Sequence, residues 1–283
     1  MTVALSDYTK NKLLDWWFRG TAWSVPATQY WRLFTANPNW ATGSGGTELT
    51  GGTGYTTGGN DCTVATFWAT APAAQGTGYR ITNTGTTGGS DVTWAASSDW
   101  TAITGVGLYA ANTGSDLIMG GSWSADPGNG DTVRISSGAI DIDLDASNAV
   151  GLTNYLVQQF LRKVSGLSTD TPPANYYVRL YTTTPNVKTG ASGTEVSGTN
   201  YVLATVAAPF ADVASGGATQ NVSQIDFPTA GSGGWGTVVG SAITDATPTN
   251  FYAVDAFTGV VMDNGDDFYI ADGAFDLSFT DTP

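Results

Sequence analysis

The chain contains no histidine, and its single cysteine is Cys62. The first absence removes imidazole from acid–base catalysis, from Ser-His and Cys-His nucleophile systems and from metal ligation. The second excludes an intramolecular disulfide framework and leaves Cys62 as a small residue suited to the interior of a strand. Charge is scarce too, at 12% of residues, and positive charge is scarcest. Ten Lys and Arg stand against 24 Asp and Glu, giving a net charge of −14. No basic cluster offsets that excess, so phosphate repulsion argues against a nucleic-acid partner. No apolar run approaches a membrane span, and MTVALSDYTKNK holds no apolar signal segment. The expectation is a soluble chain, made in the cytoplasm, without a membrane partner.

Glycine is plentiful, at 37 of 283 residues. Val, Thr, Trp and Tyr fill the segments between the Gly-rich breaks. That composition points to a mainly β protein with short strands, and the length accommodates two domains of ordinary size.

The chain repeats itself. YWRLFTANPN (Tyr30–Asn39) and YVRLYTTTPN (Tyr177–Asn186) lie 147 positions apart. At the same offset LSDYTKNKLL from Leu5 meets LTNYLVQQFL from Leu152, and GTELTG (Gly46–Gly51) meets GTEVSG (Gly193–Gly198). The offset then shrinks to 135, where Trp100 meets Trp235, Gly105 meets Gly240, and SGAIDIDL from Ser137 meets DGAFDLSF from Asp272. Matches in one order along the whole length mark a tandem duplication. The expected domains are residues 1–147 and 148–283, joined near Ala146–Val150.

Each copy is expected to open with a helix. In the first, Ser6 is the N-cap, Leu13, Leu14, Trp17 and Phe18 form an apolar stripe, and Gly20 ends it. Lys10, Lys12, Asp15 and Arg19 take the other faces. In the second, Thr153 caps, Leu156, Val157, Phe160, Leu161 and Val164 form the stripe, and Gly166 ends it. Strands are expected at Tyr30–Phe34, Cys62–Trp68, Thr101–Ala110, Asp116–Trp123, Asp131–Ser136 and Ala139–Asp145, the last two separated by a hairpin at SSG. Asp266–Ala271 and Ala274–Thr280 are their counterparts, and Asn-Gly in GNGD and MDNGDD reads as a hairpin turn. One leading helix plus about seven strands per copy suggests two tandem β-sandwich-like domains.

Few residues could carry chemistry. Glu48 and Glu195, the only two glutamates, sit at equivalent positions, and each copy also keeps an arginine, Arg32 or Arg179. Such joint retention in a charge-poor chain predicts a structural ion pair within each copy, Glu48 with Arg32 and Glu195 with Arg179. A carboxylate-only glycosidase needs two acids facing across one cleft, and the sequence supplies no such pair. Asp141, Asp143 and Asp145 fall on one face of a strand, a set of oxygen ligands that a hard cation accepts. A solvent-facing strand with Ile140, Ile142 and Leu144 turned inward explains them equally, and neither a metal site nor a cofactor is expected. Nine of the ten tryptophans lie in the first copy. Core packing or a subunit interface accounts for most, while Trp23 and Trp40, which flank loops, are the candidates for exposed binding aromatics.

The opening is similar to a family of tailed-bacteriophage virion proteins commonly labelled tail-fibre or minor structural proteins. The residues that carry the resemblance are Leu5–Tyr8, Leu13–Asp15, Phe18–Thr21, Pro26–Thr28, Tyr30, Leu33–Phe34, Gly46–Gly52, Gly130–Thr132 and Gly138–Asp145. It covers the first copy from end to end, whereas GLTNYLVQQFLRKVSG in the second lacks the FRGT element. The resemblance implies a β-rich, non-enzymatic part of a phage particle, made in the host cytoplasm and placed on the virion's outer surface. The expected role is a capsid decoration (cement) or fibre component. Its partners would be the major capsid protein or tail subunits, with a homotrimer as a further assembly. The alternative is a receptor- or carbohydrate-binding module of a tail fibre.

Overall fold

A computed structural model of the chain describes residues 2–50, 53–75, 78–84, 91–145, 150–168, 170–207, 210 and 217–279. Residues 146–149 of the expected junction, Gly51 and Gly52 of the Gly-rich loop, and Thr280 of the expected last strand lie outside them.

The chain begins with β1 (Thr2–Leu5), which leads straight into α1 (Asp7–Arg19). Next come β2 (Thr28–Ala36), β3 (Thr47–Glu48), β4 (Asn60–Thr63) and a single helical turn, α2 (Val64–Phe67). β5 (Ala73–Gln75), β6 (Gly78–Thr82), β7 (Val92–Ala95), β8 (Ile103–Tyr109) and β9 (Leu117–Ala125) follow, and β10 (Thr132–Ile135) and β11 (Asp141–Asp145) end the first copy. The second copy runs β12 (Val150–Leu152), α3 (Asn154–Val164), β13 (Tyr176–Thr183), β14 (Thr194–Glu195) and β15 (Ala204–Val206). It closes with β16 (Ala218–Gln220), β17 (Ile225–Asp226), β18 (Gly236–Thr244), β19 (Phe251–Met262), β20 (Tyr269–Ile270) and β21 (Asp276–Ser278).

The fold is mainly β in open sheets, with one leading helix per copy. The first copy's strand order is β3-β2-β8-β9-β1-β11-β6-β5, with β4 added on β2. β1 is the joint of that arrangement. Ala4 and Leu5 pair antiparallel with Gly120 and Met119, while Thr2 and Val3 pair parallel with Asp141 and Ile142. The second copy's main sheet runs β12-β19-β18-β13-β14, with β15 on β13. Three two-stranded ribbons, β7–β10, β16–β21 and β17–β20, complete the layers.

The helices form where caps and apolar spacing place them. Ser6 and Thr153 accept hydrogen bonds from the amides of Thr9 (3.3 Å) and Leu156 (3.4 Å). Each hydroxyl also donates to a carbonyl on the neighbouring strand, Leu117 or Phe251, tying the helix start to its sheet. Gly20 ends α1 at φ 65°, a conformation costly for any residue with a Cβ. Leu13, Leu14, Trp17 and Phe18, and the corresponding α3 stripe, are buried.

Several expectations need correction. A short strand, β1 or β12, precedes each helix, so neither copy opens with helix. The face that carries Lys10, away from the apolar stripe, is covered too: Lys10 is 3% exposed, because the segment at Gly217 of the second copy lies against α1. Cys62–Trp68 is not one strand: it leaves the sheet after Thr63, and α2 sends Phe67 and Trp68 into the core. The SSG and Asn-Gly turns do not join hairpin partners. β10 pairs with β7, β11 with β6 and β1, β20 with β17, and β21 with β16, so those turns carry the chain from one sheet to another. In GNGD and MDNGDD the Asp131 and Asp266 carboxylates close the turn on the amides of Gly128 and Asp263, both at 2.8 Å.

The apolar core runs continuously through both copies. Trp17 is its meeting point: its ring centroid lies 5.5 Å from that of Tyr252 and 6.4 Å from that of Phe160. The Tyr176 hydroxyl donates to the Trp17 carbonyl. Eight of the ten tryptophans are buried, which makes them core residues first.

Candidate functional site

The paired glutamates and arginines sit where β2 and β13 meet the Gly-rich loops. Arg179 is 5% exposed, and its Nη1 donates to Glu195 Oε2 at 2.9 Å and Oε1 at 3.0 Å. Its Nη2 donates to the Ala246 carbonyl (2.8 Å), and its Nε to the Thr244 hydroxyl (3.0 Å). Arg32 is arranged differently. Its Nη1 stands 4.0 Å from Glu48 Oε2 and donates instead to the Gly114 carbonyl (3.0 Å), with Nη2 on the Ala111 carbonyl (2.7 Å). Tyr109 occupies the place of Thr244, so the guanidinium lies 3.9 Å from the centre of an aromatic ring. The Arg32 Nε is left without an acceptor among the described residues.

A tyrosine in each loop completes the node. Tyr55 donates to Glu48 (2.7 Å) and accepts from the Leu33 amide (3.2 Å). Tyr201 donates to Glu195 (3.3 Å) and accepts from the Leu180 amide (2.8 Å). Burial, and then the hydrogen bond to Glu48, push the Tyr55 phenol far above its ordinary value; burial does the same to Tyr201. Both stay protonated and act as fixed donors. The amide of Gly58 adds a 2.6 Å bond to Glu48. These networks fasten loop to strand.

The aspartate strand is held by an arginine. Asp143 takes a two-point bond from Arg80 at 2.6 and 2.7 Å, and Asp141 lies 3.4 Å from the same guanidinium while accepting from Thr82 at 2.6 Å. Ile140, Ile142 and Leu144 face the core. Among the described residues no group of three or more Cys, Asp or Glu side chains is placed to hold a metal ion. Cys62 is 2% exposed, and burial followed by the Asp61 charge pushes its thiol up to about 12.

The tryptophan candidates are not open platforms. Trp23 is 8% exposed and packs in the main core, which corrects its assignment as an exposed loop residue. Trp40 is half-buried against Phe34, Tyr109 and Leu117. Its ring lies on bare backbone at Gly105, Gly107 and Gly120, where a Cβ on Gly120 would overlap it. The second copy builds the same outer face from Tyr181, Ala242, Val254, Val187 and Phe251.

One pair of important residues escaped the sequence comparison. Asn83 and Asn221, 1% and 0% exposed, hold corresponding turns. Asn83 donates to the Ser136 carbonyl (3.0 Å) and accepts from the Ile140 amide (2.8 Å); Asn221 donates to Ala271 (2.8 Å) and accepts from Phe275 (2.8 Å). Their offset is 138, and a search at that value through the Gly/Thr-rich stretch would have matched them. Trp16, Gly20 and Ala22 of the first copy also form a shallow groove of about 350 Å³ with Pro172, Pro173 and Tyr176 of the second.

The family described as Podophage GP4 fiber I protein gp80 matches residues 4–143 and, separately, residues 151–278. The chain belongs to that family. It is a phage fibre-type structural protein that carries the family's unit twice in tandem, and the Arg–Glu–Tyr and Asn nodes above are features that both units share. No curated protein matches the chain.

Proposed function

We propose that the chain is a non-enzymatic component of the outside of a phage particle. It is made in the host cytoplasm and assembles onto neighbouring capsid or tail subunits as a fibre part or a capsid decoration (cement) protein. It binds by shape and apolar burial, with a homotrimer as its own assembly. One observation carries the reading. Among the described residues, the large apolar side chains that stand exposed are Val202, Val222, Val260, Val261 and Tyr269, and all five belong to the second copy. Surface valines and a tyrosine of this kind suit a contact with a neighbouring subunit. The arginines and glutamates of the two nodes, by contrast, are spent inside their own loops. A net charge of −14 favours an exterior place, away from packaged nucleic acid.

The receptor- or carbohydrate-binding alternative needs free rings at Trp23 and Trp40, and their burial gives it no support. Reconstruction of particles carrying a tagged copy of the chain tests the proposal. Density on the outer surface, in contact with capsid or tail subunits, is the expected result. Density confined to the head interior, or none on the particle, would overturn it.

A further inference from the structure

We infer that the seam between the two copies is a reciprocal unit-to-unit interface, and that the partner it fits is a second unit of this same family. Each helix has two covered faces. α1 lies between β9 of its own copy and β16 of the other, and α3 lies between β19 of its own copy and β6 and β11 of the other. β6 and β16 hold equivalent places, since Ile81 pairs with Ile142 in β11 and Thr219 pairs with Leu277 in β21. Each copy therefore lends its helix to the other's outlying strands and receives one in return. That is the pattern of a two-fold pair, in which one patch meets its own counterpart.

The contacts across the seam are specific. The Gly217 amide donates to Asn11 Oδ1 at 2.9 Å, and the Tyr176 hydroxyl donates to the Trp17 carbonyl. Phe18 packs on Tyr176 and Phe210 at centroid distances of 5.8 and 4.8 Å, and the Lys163 ammonium lies 4.4 Å from the Trp16 ring centre. Gly166 sits so close to α2 of the other copy that a Cβ there would come within 2.7 Å of Val64. Removing the second copy would bare Trp17 and Phe18, and removing the first would bare Phe160, all at or below 1% exposure in the intact chain. A lone unit is thus incomplete, and the connection near residues 146–149 supplies proximity to a fit that the side chains already make. None of this depends on where the chain sits on a particle.

The test uses the full chain with a protease site inserted between Asp145 and Val150. After complete cleavage, size-exclusion chromatography with light scattering should return the two pieces together in a 1:1 ratio, in a particle of the same mass as the uncut protein run in parallel. Two pieces that separate in native buffer would overturn the inference. In the cleaved protein, Asn11→Ala combined with Tyr176→Phe removes two seam hydrogen bonds and should weaken association about tenfold; an unchanged affinity would count against a specific seam. A third measurement covers a cleaved chain that precipitates. The uncut protein should unfold in a single thermal transition, and two resolved transitions would overturn the reciprocal interface.

Discussion

At one place on the outer face of its main sheet the first copy sets a large ring over bare backbone, where the second sets a valine over an alanine and a valine. Gly107 and Gly120 are cross-strand neighbours beneath Trp40; Ala242 and Val254 are the corresponding neighbours, and Val187 replaces the tryptophan. Bulk removed above is returned below. The polar nodes behave differently: Asn83 and Asn221 bond the same two turn positions, while the arginine nodes share one carbonyl contact, Ala111 or Ala246, and differ in carboxylate and ring. Backbone-directed hydrogen bonds fix the unit's shape, and the filler between them is exchangeable when total volume is kept.

The largest effect should come from the parts that do not differ. Asn83→Ala and Asn221→Ala both strip the two corresponding backbone groups of their partner in a buried turn, Asn221→Ala freeing the Ser223 carbonyl as well, and each should cost about 3 kcal/mol in urea denaturation. Losses that differ by more than about 1 kcal/mol would break the claimed equivalence.

A smaller effect tests the exchange of filler. Gly120→Val forces a side chain into the Trp40 ring and should destabilise by about 2 kcal/mol. Adding Trp40→Val, which recreates the second copy's combination, should recover more than half of that loss. Two substitutions that simply add would show that the volumes are not coupled.

The smallest difference separates the two ion pairs. Glu195→Gln removes a carboxylate bonded twice by Arg179, at a cost of about 1.5 kcal/mol. Glu48→Gln, whose arginine stands 4.0 Å away and relies on carbonyls and a ring, should cost about 0.5 kcal/mol. Equal losses in parallel denaturation curves would erase the distinction drawn between the nodes.

Much of this architecture was legible in the residues, because its signals are local. Ser6, Thr153 and Gly20 announce helix ends, and the stripes of α1 and α3 announce one buried face each. The repeated YWRLF and YVRLY segments announce the strand that carries Arg32 or Arg179. Illegible were features that depend on a distant segment. Periodicity reports that Leu13 and Trp17 face a core, yet it is silent about the second covered face, where Lys10 is buried. β1 and β12 are too short to show alternation, and their partners lie in later parts of the chain. Trp23 carried the composition of a loop, and only the tertiary packing makes it core. In the candidate site, the glutamates and arginines could be read from retention of scarce charge. Tyr55 and Tyr201, one residue away from the glutamate offset, and Asn83 and Asn221 could not be read that way.

The position of β1 also sets an order of events during synthesis. Thr2–Leu5 leaves the ribosome well before its neighbours, Met119 and Gly120 on one side and Asp141 and Ile142 on the other. This strand must wait until nearly the whole first copy has emerged, and α1 then waits again for its cover from the second. Nascent chains therefore carry β1 and α1 without their partners while the later strands are made, and each copy closes only once its distant strands have emerged.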